Sequence, residues 1–341
     1  MDDDHPLNMN ESRALRLEIW LAALALAVLA VAYRYAWTPG PWEEGLQFAR
    51  DEWRIAVGEV GRWFSAWTIG DGQLFAVIAA DPLGLDEGWE MIQPAFRYWR
   101  AGFGWLAWAA SLGQESWVPY GMAIVGAASI VSTFLLTVRL RPELGKRAWF
   151  LVFNPAVLIA FAGDTAEGLG VLALAYAIAT GRAWVSAALG VIRPSFLIAL
   201  VGRWRLFRWG ALTALVTGVW WIFHFGWEAS QYGSNFAPPF LGYIAEPSLN
   251  SLALGAFACA TIWRGWLHRD WGWVASGIMV VCFSGFILAD ATNGWRVAGM
   301  LYVLWAFGPG YQQPPQALPV SDKTVASTWQ PKSHDSQASR S

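Results

Sequence analysis

Trp117-Val-Pro-Tyr120-Gly-Met-Ala-Ile-Val125-Gly-Ala-Ala-Ser-Ile130-Val-Ser-Thr-Phe-Leu135-Leu-Thr-Val138 contains no charged residue and is bounded by Glu115 and Arg139. Crossing a hydrocarbon core of about 30 Å takes roughly 20 apolar residues of helix, and this stretch has that length. Backbone N–H and C=O groups find no partners in hydrocarbon, so a segment that crosses it must satisfy them internally, as a helix does. The Gly- and Ala-rich face from Gly121 to Ala128 lets neighbouring helices approach closely.

Other apolar segments flank it on both sides: Leu17 to Ala36, Ala148 to Phe161, Leu169 to Thr180, Ala183 to Val201, Gly210 to Phe225, Leu249 to Trp263, Trp273 to Leu288 and Val297 to Phe307. The whole chain is 56% hydrophobic and only 14% charged, which leaves too little polar surface for a soluble domain of this size. The sequence therefore predicts an all-α fold, a polytopic transmembrane helical bundle of about 8 to 10 membrane segments, some short or broken. Many of the 25 Trp residues stand near predicted segment ends, among them Trp204, Trp209, Trp271 and Trp273, where an indole can sit in the membrane interface. Two segments are irregular. Residues 183 to 201 carry Arg193-Pro194 near their middle, which predicts two half-helices meeting at a break. Phe96 to Leu112 opens with Arg97 and Arg100 and is barely long enough to cross; it either crosses, which puts the Arg139 to Arg147 link outside against its charge, or dips into the membrane, which the charge rule favours.

Charge is distributed unevenly along the chain. Arg139, Arg141, Lys146 and Arg147 mark one link; Arg203, Arg205 and Arg208 a second; Arg264, His268 and Arg269 a third. The positive-inside rule places all three in the cytoplasm. Residues 37 to 96 hold ten acidic residues against three Arg and form a large extracytoplasmic loop. The layout is thus a cytoplasmic segment 1–16, a membrane domain 17–308 and a Pro-, Gln- and Ser-rich disordered cytoplasmic tail 309–341, in a multi-pass protein of the plasma or inner membrane with both termini inside. Cys259 and Cys282 both lie in apolar segments and form neither a disulfide framework nor a metal-binding spacing. The basic residues are those that topology alone requires, so no nucleic-acid function is implied.

Within the outer loop, Leu46, Trp53, Val57, Val60, Phe64 and Trp67 recur every three or four residues opposite Glu44, Asp51, Glu52, Glu59 and Arg62. That pattern marks an amphipathic juxtamembrane helix. It leads to Gly70-Asp71-Gly72, after which a second short helix, Gln73 to Ala80, is closed by Asp81-Pro82. Asp71 is thereby held beside the membrane on the outer face.

Four short runs then share a pattern: Asp71-Gly72-Gln73-x-Phe75-x-x-Ile78-Ala79, Phe96-Arg97-Tyr98-x-Arg100, Gly163-Asp164-Thr165-x-Glu167 and Ile192-Arg193-Pro194. Together they resemble the integral-membrane C-type glycosyltransferases (GT-C), and within them bacterial multispanning proteins related to the second mannosyltransferase of glycolipid-anchor synthesis. The resemblance implies a helical bundle with a cavity open to the outer leaflet. It also implies a polyprenyl-phosphate-linked sugar as donor, a glycan or lipid as acceptor, and an essential acidic residue in the first outer loop. Asp71 matches that residue by position, and Arg296 resembles a family Arg near the final span. No cofactor or divalent metal is implied beyond the lipid-linked substrate.

Transfer of a sugar from a lipid phosphate asks for a base near the acceptor hydroxyl and cationic donors for the leaving phosphate. Asp71 is the candidate base. Gly72, Gln73, Arg97, Arg100, Asp164, Glu167, Arg193 and Arg296 are candidate substrate-binding residues, the arginines because guanidinium presents paired donors to phosphate oxygens. Simpler readings stand beside these. Asp71-Gly72 also fits an ordinary turn, Asp164 to Glu167 an N-cap with an acidic first turn, Arg97 and Arg100 interface anchors, and Arg193 a structural ion pair with Asp164 or Glu167. His224 reads as a packing or interface residue rather than a catalyst. At the level of function, a carrier of lipid-linked glycans and a non-catalytic scaffold for envelope assembly are the alternatives to a transferase.

Overall fold

The computed structural model describes residues 20, 24, 28, 72–85, 94–157, 166–226, 238–245, 247–283, 294–296 and 298–311. Segments 1–16 and 312–341, the amphipathic helix expected over 46–67, Asp71, Asp86-Glu87 and Asp164-Thr165 lie outside the described residues, as does all of the first expected span except Trp20, Leu24 and Val28, which are helical and exposed.

Among the described residues the structure is all-helical and contains no strand. The α-helices are α1 Gly72–Ala80, α2 Pro94–Trp99, α3 Gly102–Ala110, α4 Val118–Leu144, α5 Trp149–Val152, α6 Glu167–Thr180, α7 Ala183–Ile192, α8 Trp204–Phe225, α9 Leu241–Ala245, α10 Leu249–Leu267, α11 Trp271–Val281 and α12 Gly299–Phe307, with 3₁₀ turns at Glu115–Trp117, Gly145–Ala148 and Pro194–Leu200. Two continuous helical stretches, Glu115–Val152 and Trp204–Phe225, are long and apolar enough to cross a membrane. α3, at nine residues, is about 13.5 Å long, less than half of a hydrocarbon core. It is separated from α2 at Arg100-Ala101, so residues 96 to 112 form no continuous span.

Small residues set the packing. After the turn at Leu112 and Gly113, both with positive φ, α4 folds back on α3, and Gly121 sits against the Ala107 carbonyl where a Cβ would collide. Buried hydroxyls are absorbed locally: Ser129, Thr133 and Thr137 donate to the carbonyls of Val125, Ser129 and Thr133 at 2.8, 2.7 and 2.8 Å. α7 and α8 approach through Gly190 and Gly210, and the contact is tied by the Ser186 hydroxyl donating to the Leu206 carbonyl at 2.7 Å and Thr213 donating to Ala187 at 2.8 Å. α10 begins with a reciprocal cap between Ser248 and Ser251, and α11 packs against it through Gly265 and Gly277.

The bundle has two chemically distinct ends. Gly308 closes α12 against the Arg147 side chain, the Tyr311 hydroxyl donates to Glu143 at 3.0 Å, and the Gly310 N–H donates to Asp270 at 3.2 Å. Gly202 lies against the same Asp270 carboxylate. These contacts gather the three basic links, around Arg147, Arg203 and Asp270, at one end. α8 starts there and runs about 33 Å to the other end, where His224 donates to the Gly84 carbonyl at 2.8 Å. Arg205 and Arg208, expected in a link before residue 210, lie on the first turns of α8 with exposed side chains; solvent-facing charge does not interrupt a helix whose Leu206 and Gly210 are buried.

Candidate functional site

A charge centre lies away from the basic links, level with the middle of α8, where Gly190, three residues before Arg193, packs on Gly210 and Thr213. Glu167 is the first residue of α6 and is 1% exposed. A carboxylate at this position is favoured by the partial positive charge of the helix N-terminus. Arg193 stands at the break after α7, with φ −149° and ψ 79°. Pro194 disfavours helical geometry in the residue before it, so the chain leaves the α-helix at Arg193 and resumes as a 3₁₀ turn. The break expected from Arg193-Pro194 is therefore present, and it lifts the guanidinium out of the helix and toward α6.

Arg193 Nη2 lies 2.7 Å from Glu167 Oε1, and Arg296 Nε lies 3.5 Å from the same oxygen. Arg193 is buried and Arg296 half-buried. Gly170, one turn into α6, makes room for this pairing: a Cβ there would stand 2.9 Å from the Arg193 Cβ and 3.2 Å from the Phe196 ring. A larger residue at 170 would force Arg193, Phe196 or the helix itself to shift. Of the two partners considered for Arg193, Glu167 is brought to it; Asp164 lies outside the described residues. Glu167 belongs to the first turn as expected and is buried; the residue at the cap position is Ala166.

The start of α3 closes one side. Gly102 packs against the backbone of Ile192, the residue before Arg193, which brings Arg100 into the neighbourhood. Arg100 is buried, its guanidinium over the Phe96 ring at 4.8 Å and the Phe75 ring at 5.7 Å. This is no exposed interface anchor: Phe75 reaches it from α1, a contact that sequence spacing within 96–100 could not reveal. Arg97 is half-buried above Phe96 at 5.7 Å. α1 begins at a buried Gly72, continues through Gln73 and ends before Asp81-Pro82. The Tyr98 hydroxyl donates to the Asp81 carbonyl at 2.6 Å and the Trp105 indole to Pro82 at 2.8 Å, which fixes α1 to α2 and α3.

Of the candidate residues, then, Glu167, Arg193 and Arg296 form one cluster, Arg100 lies beside its wall, and Gly72 and Arg97 belong to the adjoining α1–α2 layer. Among the described residues no group of three or more His, Cys, Asp or Glu side chains is arranged to hold a metal ion. Chemically, a carboxylate between two guanidinium groups in an apolar bundle orients planar donors, and such donors suit phosphate or carboxylate oxygens. No family model, no curated protein and no solved structure matches the chain.

Proposed function

We propose that this chain is a multi-pass membrane glycosyltransferase that moves a sugar from a polyprenyl-phosphate carrier to a glycan or lipid acceptor at the extracytoplasmic face. The observation that carries the reading is the Glu167–Arg193–Arg296 cluster, buried in an apolar bundle away from the basic links. Ionised side chains in such a setting are costly and mark substrate sites by default. The gathering of the three basic links at one end supports the orientation, because that end satisfies the positive-inside rule. In this reading Arg193 and Arg296 bind the lipid phosphate, Glu167 holds their planes, and Asp71, assigned from the sequence resemblance, is the base that takes the acceptor proton.

The break at Arg193-Pro194 also suits a carrier of intact lipid-linked sugar, since discontinuous helices line transport sites. One experiment separates the two. A strain lacking the protein is complemented with wild type, Asp71→Asn or Arg193→Gln, and its surface glycan is analysed. The transferase reading expects the missing sugar to return with wild type, and each variant to lower its incorporation at least about a hundredfold. Equal restoration by wild type and D71N refutes the base. A deletion strain whose glycan keeps every sugar but is built in lower amount points to the carrier.

A further inference from the structure

A groove of about 420 Å³ runs along the outside of the bundle between α4, α6 and α7, and none of the charge-centre side chains lines it. Its lining is mostly apolar, Leu136, Ala173 and Ala188 among it, and the residues there with polar side-chain atoms are Arg139, Ser132, Tyr176 and Trp184. Leu135 and Trp184, at 41% and 62% exposure, leave the groove open laterally. Tyr176 and Trp184 pair at 6.5 Å between ring centroids, which marks one end of the groove; Leu169 and Ile192 mark the other. Arg139 belongs to the Tyr176 end, because α4 finishes beside Arg147, which lies against Gly308, whereas Gly299 at the start of the same helix α12 lies beside Val171 near the start of α6.

From Arg139 to Ser132 on α4, and from Tyr176 to Leu169 on α6, the groove is about 10 Å long. One leaflet of hydrocarbon is roughly 15 Å deep, so the groove fits within a leaflet on the basic side. Among the described residues Arg139 is its only charged lining residue, and in the membrane reading it stands at the watery edge of that leaflet.

We propose that this groove binds an anionic glycerophospholipid of the leaflet on the basic side, its phosphate at the Arg139 guanidinium and an acyl chain between α4 and α6–α7. The proposal rests on the membrane reading but not on the transferase chemistry. An ordinary boundary lipid needs only the apolar walls and would show no preference for headgroup. A single guanidinium at the rim of an otherwise uncharged channel gives that preference, and it clamps the α6–α7 hairpin, whose first residue is Glu167.

The full chain in detergent, titrated with dioleoylphosphatidylglycerol or dioleoylphosphatidylcholine and followed by retained lipid in native mass spectrometry, tests this. Wild type retains the anionic lipid about fivefold more tightly, the equivalent of roughly 1 kcal/mol for one cationic side chain at an anionic headgroup. Arg139→Gln abolishes the preference while leaving phosphatidylcholine unchanged. Ala188→Trp, which fills the groove, lowers retention of both. Arg205→Gln, exposed at the same end but outside the groove, keeps the preference. Equal retention of the two lipids by wild type, or an R205Q loss as large as that of R139Q, overturns the proposal. Unfolding temperatures without added lipid show that the variants are folded. Sugar transfer is not read, so the result stands apart from the proposed activity.

Discussion

Arg193 and Glu167 meet at 2.7 Å across a gap between two helix termini of opposite polarity. Arg193 caps the C-terminal end of α7, where backbone carbonyls concentrate negative potential, and Glu167 opens α6, where N–H groups concentrate positive potential. Each side chain complements its own helix before it complements the other. Arg296, arriving from the segment before α12, shares the same carboxylate oxygen and draws a third element to the junction.

Removing one member of this pair upsets the balance of charge in the interior: without Glu167 two guanidinium groups face each other, and without Arg193 the carboxylate loses its shorter contact. Glu167→Gln and Arg193→Gln are each expected to lower stability by about 3 to 5 kcal/mol, read as a shift in denaturant-induced unfolding in detergent. The double variant is expected to lose less than the sum of the two, because each single variant already removes the contact the two side chains share and only Arg296 then remains of the three charges. Additive losses would show that the two side chains act separately.

Gly190 determines how closely α7 and α8 approach. A methyl group there would collide with the Gly210 carbonyl and with Thr213 Oγ1, groups held in place by the hydrogen bonds of Ser186 and Thr213 to the facing helix. Gly190→Ala is expected to cost about 1 to 3 kcal/mol by overpacking, despite Ala's higher helix propensity. A gain in thermal stability on G190A would show that the helices can separate without loss.

The local parts of this architecture were readable because their causes are local. Asp81-Pro82 stops α1, Arg193-Pro194 breaks 183–201, and the uncharged run from Trp117 to Val138 becomes the centre of α4. The site was readable only as residue types. Nothing in the spacing of Glu167 and Arg296 announces that a terminus of α6 and the segment before α12 converge, and Arg100 looked like an interface anchor because Phe75, the ring that helps bury it, lies in another segment. Helix ends drifted for a related reason. Arg205 and Arg208 suggested a link, yet their exposed side chains sit on the same helix as buried Leu206.

Tyr311 gives the basic end a pH dependence. Burial, reinforced by its hydrogen bond to Glu143, raises its phenol from the ordinary 10.0 to about 12, against the opposing pull of Arg203. The folded state therefore holds this proton more tightly than the unfolded chain does. Its contribution to stability is complete below about pH 10 and is lost as pH rises toward about 12. Thermal unfolding of wild type and Tyr311→Phe across that window is expected to show a steeper decline for wild type. Parallel curves would mean that the phenol is equally acidic in both states.

Asp270 connects three pieces of the same end. One carboxylate oxygen accepts from the Gly272 N–H at 3.1 Å and caps α11; the other accepts from Gly310 at 3.2 Å. Arg203 stands nearby, its guanidinium pKa lowered by burial and raised in part by Asp270. Asp270→Ala is expected to lose the cap, about 1 to 2 kcal/mol, together with the charge that offsets Arg203. Asp270→Asn retains an acceptor for Gly272 but removes the charge, so it is expected to fall between D270A and wild type, with faster amide hydrogen exchange at Gly310. Adding Arg203→Gln to D270N is expected to recover part of the loss, since the buried cation is then gone. If D270N matches wild type in both unfolding and exchange, the carboxylate's charge contributes nothing and Asp270 serves this end only as a helix cap.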